Sequence, residues 1–193
     1  MIYVFDVDGT LTPSRQEMQP HFRETFERFA KQHSVYLVTG SDRQKTMQQI
    51  SPHTYYLCDG VFQCAGNQLY HQDLLVYENN WDPPDSLVDQ LNDILEKSKA
   101  PVKTGIHLER RTGMINFSTV GRLANQQQRQ EYKAFDQRAK ERRSIVAQIE
   151  TPEIEAAIGG ETGIDIYPRG KNKSQILEFL QPPVTFFGDD CNP

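Results

Sequence analysis

The sequence predicts an α/β protein with a parallel-sheet core and a second, α+β domain inserted into it as a cap. Three observations carry that reading. Ile2 to Phe5 is a short, continuous apolar run closed by a glycine turn, the pattern of a strand covered on both faces. VYLV, Val35 to Val38, follows after one amphipathic helix, and strand, helix, strand over this distance is a parallel unit with its loops at the carboxyl ends. VTFF, near the end of the 193-residue chain, again delivers carboxylates, as the first strand does. The outer segments therefore read as one sheet, with the middle of the chain inserted.

Each element follows from local pattern. Pro20 opens PHFRETFERFAKQ, in which Phe22, Phe26, Phe29 and Ala30 fall on one helical stripe. YYLC, VFQCA and QLYHQDLLVY read as short strand-like pieces and hairpins, separated by Asp59-Gly60 and Gly66-Asn67 turns. NNWDPPDS is linker-like and marks a domain junction near Asn79; a helix carrying Leu87, Val88, Leu91, Ile94 and Leu95 follows. IHLER and MINFST alternate like half-exposed antiparallel strands, and a long Gln-rich helix starts near Asn125, with Gln128 placed to close a capping box. Ile154 to Ile158 and Gly163 to Tyr167 complete the α+β unit, KSQILEFL reads as a helix, and VTFF as a buried strand. The expected division is a core of residues 1–78 and 169–193 around a cap of residues 79–168.

Composition removes several function classes. A net charge of -5 argues against a general nucleic-acid binder, although a local basic cluster can still hold one phosphate. Apolar runs fall short of membrane-spanning length, and MIYVF runs into charge without a basic leader, so a cytoplasmic protein with no membrane association is expected. Cys58, Cys64 and Cys191 form neither a disulfide framework nor a zinc pattern, and the five histidines share no ligand spacing.

The chemistry lies in FDVDGTLTPSRQ. Asp6 and Asp8, two residues apart at the end of an apolar strand, repel each other unless a cation lies beside them. With Mg²⁺ held between carboxylates, Asp6 can attack a phosphoryl group while Asp8 acts as general acid and base. The alternative is a turn or helix-capping aspartate pair. Thr39 and Ser41 of VTGSDRQK follow a strand and open a helix, where hydroxyls and N–H groups can point at a phosphate oxygen or simply cap the helix. Lys173 sits at the start of a predicted helix, against the macrodipole, which an anionic partner would explain; Lys171 competes for the role. Asp189 and Asp190 after VTFFG are hard oxygen donors suited to Mg²⁺. Carboxylate, hydroxyl, lysine and carboxylate, each at a strand end or helix start, together describe a phosphoryl-transfer site.

These four elements resemble the motifs of the haloacid dehalogenase (HAD) superfamily, and more closely the eukaryotic-type phosphomannomutases. DVDGTLTPSRQ, TGSDRQK, RTGMINFSTVGR, GGETGIDIYPRGKNK and FFGDD follow that family's order over nearly the whole chain, and RTGMINFSTVGR is similar to its cap signature. The resemblance implies a HAD-like Rossmannoid core with a C2-type cap and an Mg²⁺-dependent mutase of mannose 6-phosphate and mannose 1-phosphate, with a hexose bisphosphate activator. By that resemblance Asp6 is the phosphorylated nucleophile and Asp8 the acid/base; Ser41 and Lys173 steady the phosphoryl group, and Asp189 binds Mg²⁺. Arg111, Arg122 and Arg129 match cap arginines that hold the sugar's far phosphate, as a cationic patch on an acidic protein. Arg15 matches a further substrate-side arginine, Asn116 lies within the cap signature, and Asp165 matches a carboxylate near the sugar. Homodimerisation through the cap is implied in the same way.

The chain departs from the family pattern at several positions. Thr39-Gly40-Ser41 stands for Gly-Gly-Ser, Lys171-Asn172-Lys173 for Trp-Asp-Lys, Thr119 for a proline and Gly163 for a phosphate-touching serine. The family's Gly-Gly-Asn-Asp segment would begin beyond Pro193, so Asp190 or Asn192 is expected to substitute in the metal shell, or the chain is a truncated form that pairs with a second copy or binds metal weakly. Two other readings accompany the mutase: a sugar-phosphate phosphatase using the same Asp6, and a non-catalytic fragment.

Overall fold

The computed structural model describes residues 1–14 and 16–189; Arg15, Asp190, Cys191 and Asn192, on which sequence expectations fell, lie outside the described residues. The chain forms two compact units, one of Met1–Asn79 with the chain from Lys171 onward, the other of Asn80–Gly170.

The first unit is an α/β layer structure on a six-stranded sheet. Its strands are β1 (Ile2–Asp6), β2 (Ser34–Val38), β3 (Gly60–Gln63), β4 (Gln68–His71), β5 (Leu74–Glu78) and β10 (Val184–Phe187), in the order β10-β1-β2-β3-β4-β5. β10, β1, β2 and β3 run parallel, and β4 and β5 add an antiparallel hairpin. The central strands are covered on both faces, as continuous apolar strands require; VTFF, expected to be buried, instead forms the edge strand β10, which leaves Phe186 and Phe187 43% and 42% exposed. Val35 and Leu37 pack with Phe26 and Ala30 of α1 (Pro20–Ala30), while Val4, Val38 and Phe62 pack with Ile176 and Leu180. The register pairs Asp6 with Val38, so the loops after β1 and β2 leave the sheet at one edge.

Four further local expectations are corrected. Phe22 of the predicted stripe is 41% exposed; only Phe26 and Ala30 of α1 are fully buried. YYLC is not a strand, because Tyr55, Tyr56 and Leu57 end helix α3 (Pro52–Leu57). Ser51 accepts the Thr54 N–H at its start and Pro52 occupies the first turn, so local start signals outweigh the strand preference of the tyrosines. VFQCA is strand only to Gln63, where three left-handed residues, Cys64, Ala65 and Gly66, turn the chain. KSQILEFL forms a tight 3₁₀ helix over Lys173–Glu178, not an α-helix.

The second unit is α+β. Its antiparallel sheet has the order β6-β7-β9-β8, from β6 (Leu108–Arg111), β7 (Met114–Phe117), β8 (Ile154–Gly159) and β9 (Gly163–Pro168). β7, expected to be half-exposed, is buried at every position because it lies between β6 and β9. Leu87 and Leu91 of α4 (Asp85–Lys97) and Ile145 and Ile149 of α6 (Glu141–Ile149) cluster with Ile115, Phe117, Ile164 and Ile166.

The predicted long helix is two. α5 (Gln126–Ala139) begins with both capping-box bonds between Asn125 and Gln128, and Lys140, at φ 53°, breaks it from α6. Asp136 fixes the break by accepting from the Arg142 N–H and Nε, both at 2.8 Å. Among the described residues no helix is long and apolar enough to cross a membrane.

Leu91 is fully buried in the second unit's core. Leu91→Ala is expected to cost about 2–5 kcal/mol by cavity formation, against roughly 0.5 kcal/mol or less for Leu123→Ala on the surface, read by urea unfolding.

Candidate active site

The site is built where β1 ends. Asp6 is the last residue of β1 and only 8% exposed. Its Oδ1 accepts the Val7 N–H at 2.7 Å and its Oδ2 accepts from Lys173 Nζ at 2.6 Å. Lys173 thus pairs with Asp6, whereas its competitor Lys171 contributes a backbone carbonyl to Gln175. The chain then turns through Gly9, at φ 84°, closed by bonds from the Gly9 N–H to the Thr12 carbonyl and from the Thr12 N–H to the Val7 carbonyl. Glycine is required there twice over: the backbone is left-handed, and a Cβ would lie 2.1 Å from Asp189 Oδ2. Asp189, just beyond β10, is therefore packed directly on the loop that carries Asp6 and Asp8.

Asp8 is held from α2 (Arg43–Ile50) and the segment before it. Its Oδ1 accepts from Gln49 Nε2 at 2.9 Å, and Ser41 Oγ stands 3.5 Å from its Oδ2. The Ser41 hydroxyl in turn accepts from Lys45 Nζ at 2.9 Å. Thr39 Oγ1 accepts the Ser41 N–H at 3.0 Å, and both residues are buried. Neither caps the helix; Asp42 does, accepting the Lys45 N–H at 2.8 Å, which leaves the Ser41 hydroxyl facing Asp8. Sequence reasoning missed Lys45 and Gln49. They recur four and eight residues after Ser41, the one signal that could have placed them on the same helical face.

The electrostatics follow from this packing. Burial pushes the Asp6 carboxyl above its ordinary range; the Lys173 ammonium and the Val7 N–H pull it down, and the neighbouring Asp189 carboxylate pushes it up again, with the net direction upward. Among the described residues no group of three His, Cys, Asp or Glu side chains forms a metal cage. Mg²⁺, however, commonly uses only one or two protein carboxylates and completes its shell with water and phosphate. Asp6 and Asp189, close enough for their charges to interact, supply hard oxygens of the kind that ion takes.

The remaining predicted residues lie in the second unit. Arg111 and Arg122 both pair with Glu109, the former at 2.8 Å. Arg129 lies 3.8 Å from Glu161, which also meets Lys133 at 3.6 Å. The expected cationic patch is thus partly neutralised by two carboxylates that sequence reasoning did not single out. Asn116 and Asp165 face each other across β7 and β9, and Asn116 Nδ2 donates to Asp165 Oδ1 at 2.6 Å. That pair accounts for Gly163, since a Cβ there would lie 2.9 Å from Asn116 Nδ2 and 3.1 Å from the Gly159 carbonyl. Thr119 is also explained, because its hydroxyl donates to Glu141 at 2.9 Å, a bond proline cannot make.

Comparison with known proteins agrees with this architecture. The family described as "Eukaryotic phosphomannomutase" matches residues 22–193. A "Probable phosphomannomutase" of Caenorhabditis elegans is 30% identical, spanning 100% of this chain and 82% of its own. A "Phosphomannomutase" of Galdieria sulphuraria is 32% identical over 96% of this chain and 79% of its own. Among solved structures, the trehalose-6-phosphate phosphatase C-terminal domain of C. albicans superposes with a TM-score of 0.64 at 18% identity, covering 98% of this chain and 70% of that one. A HAD subclass IIB sugar phosphatase gives 0.60 at 15% identity, covering 97% and 80%. The structures establish a HAD-like fold; with the family match and the relatives' identity across the chain, they place it in the eukaryotic phosphomannomutase family.

Proposed function

We propose that this chain is an Mg²⁺-dependent phosphosugar mutase that interconverts mannose 6-phosphate and mannose 1-phosphate through a phosphorylated Asp6 and a hexose bisphosphate. The observation that carries the reading is the convergence on one loop of Asp6, paired with Lys173 at 2.6 Å, and Asp8, held by Gln49 at 2.9 Å.

Asp6 is the nucleophile, and Lys173 beside its carboxylate balances the charge of the incoming phosphoryl group. Asp8 takes the proton from the sugar hydroxyl as the phosphoryl group leaves Asp6 for that oxygen, and returns a proton when the direction reverses. Gln49 and Ser41 fix its carboxylate for that exchange. Asp6, Asp8 and Asp189, with Asp190, would hold Mg²⁺, which when bound supplies neutralising charge at the transferring phosphoryl group. On the sugar side, Arg111, Arg122 and Arg129 grip the phosphate that is not being transferred, and Asn116 and Asp165 meet the sugar hydroxyls; Thr39 and Arg15 complete the substrate contacts. A mutase needs that second phosphate site because the bisphosphate must present each end in turn, whereas a phosphatase needs only water at the phosphorylated aspartate. Homodimerisation through the second unit belongs to the same proposal, supported by the family resemblance alone.

The test follows the protein with Mg²⁺, mannose 1-phosphate and a trace of hexose bisphosphate by phosphorus NMR. Mannose 6-phosphate is expected; free phosphate alone would favour the sugar-phosphate phosphatase, and no change the non-catalytic fragment.

Arg122→Ala is expected to lower mutase kcat/KM about 10- to 100-fold, the loss of a charged phosphate contact, while hydrolysis of an aryl phosphate changes by about twofold or less. Equal losses in both assays would contradict the assignment. A second expectation concerns pH. The upward shift of Asp6 means that the native state binds its proton more readily than the unfolded chain, so its contribution to stability is complete below the ordinary value of 3.8 and is lost as pH rises through the shifted one. In metal-free protein, Asp6→Asn should therefore melt above the unsubstituted chain at pH 7, with the gain shrinking toward pH 4; a lower melting point at pH 7 would mean that the Lys173 pairing outweighs burial.

A further inference from the structure

Gln175 is a buried side chain that the chemistry above does not use. It lies in the 3₁₀ helix that begins at Lys173, is 3% exposed, and spends both donors of its carboxamide on backbone. Its Nε2 donates to the Ala65 carbonyl at 2.9 Å and to the Lys171 carbonyl at 3.0 Å. Its Oε1 is buried and has no hydrogen-bond partner among the described residues. An orphaned buried acceptor is costly, so the two donated bonds are what the position selects for.

Ala65 sits in the turn of three successive left-handed residues, Cys64, Ala65 and Gly66, at φ 51°, 58° and 94°. Two of these are not glycine, so the turn is strained and must be held by its bonds. The Cys64 N–H donates to the Ser41 carbonyl at 3.0 Å, and the Ala65 N–H to the Thr39 carbonyl at 2.9 Å. A Cβ on Gly66 would lie 2.9 Å from Gln175 Cγ, so the turn is packed directly on this side chain. Lys173, whose ammonium reaches Asp6, stands two residues before Gln175 and two after Lys171.

We propose that Gln175 is a positioning residue. Through the Cys64–Gly66 turn it clamps the backbone that carries Lys173 to the segment that carries Thr39 and Ser41, and so fixes the spacing between the ammonium at Asp6 and the hydroxyl at Asp8. The inference rests on the reading of Lys173 as the cation at the transferring phosphoryl group. Only a carboxamide of this length does the work: glutamate would set oxygens against two carbonyls, and methionine would fill the volume but leave both carbonyls without this donor. Such a group acts on geometry at the reacting atoms, where a misplacement of about 1 Å costs up to roughly 100-fold in rate.

The experiment is a double-mutant cycle on the full chain with Mg²⁺ and p-nitrophenyl phosphate, using Gln175→Met, Lys173→Met and both together. Gln175→Met is expected to lower kcat roughly 10-fold with KM within about twofold, and to have no further effect once Lys173 is methionine. Gln175→Asn, which keeps the donors on a shorter arm, should fall between, and carries the same cycle if Gln175→Met does not fold. Equal fractional losses from Gln175→Met in both backgrounds, or a loss in KM alone, would overturn the proposal. Unchanged kcat in Lys173→Met would instead remove the parent reading of Lys173, and the role of Gln175 with it.

Discussion

The ion pair between Asp6 and Lys173 joins side chains 167 residues apart, and the first unit is organised around making that contact in a nearly buried place. A carboxylate cannot be taken out of water cheaply without a partner, and here burial and Asp189 still push its proton affinity upward against the ammonium. The 3₁₀ helix that delivers Lys173 packs Ile176 in one cluster with Val4 and Val38, and the parallel register of β10, β1 and β2 sets the rest of the surroundings of Asp6. That register places Asp6 level with Val38, so the segment after β2 arrives beside it, and it lays β10 along β1, so Asp189 lands on Gly9.

Secondary support is graded outward from that pair. Gln49 and Ser41 hold Asp8, Lys45 holds Ser41, and the Cys64–Gly66 turn holds the backbone of Thr39 and Ser41. Each of these is a polar side chain or strained backbone segment bonded to a specific partner, so the loop cluster has few alternative arrangements at low cost. In the second unit the same economy appears around Glu109 and Glu161, which meet arginines that would otherwise repel one another.

What was legible in the sequence was local. Ile2–Phe5, Val35–Val38 and Val184–Phe187 announce strands because continuous apolar runs before Gly and Asp turns have few other uses, and the capping box at Asn125 and Gln128 formed both of its bonds. Asp6, Asp8, Ser41, Lys173 and Asp189 could be singled out because strand ends and helix starts of such a sheet meet at one edge. The failures were also local in cause. Ser51 and Pro52 start a helix that the run of tyrosines conceals, and the left-handed Lys140 divides a helix whose composition is uniform across the break. Gln49 and Gln175 escaped notice because their partners lie 41 and 110 residues away, and nothing in a lone glutamine says which carboxylate or carbonyl it will meet.

The proposed mutase chemistry requires a phosphorylated Asp6. The direct measurement is to expose the protein to hexose bisphosphate with Mg²⁺, quench, reduce with borohydride and map the chain by mass spectrometry, since an aspartyl phosphate is reduced to homoserine. Homoserine at position 6, abolished in Asp6→Asn and formed more slowly in Asp8→Asn, which lacks the proton donor for the leaving sugar oxygen, is the predicted result. Homoserine at position 8, or turnover of mannose 1-phosphate without modification of either aspartate, would contradict it.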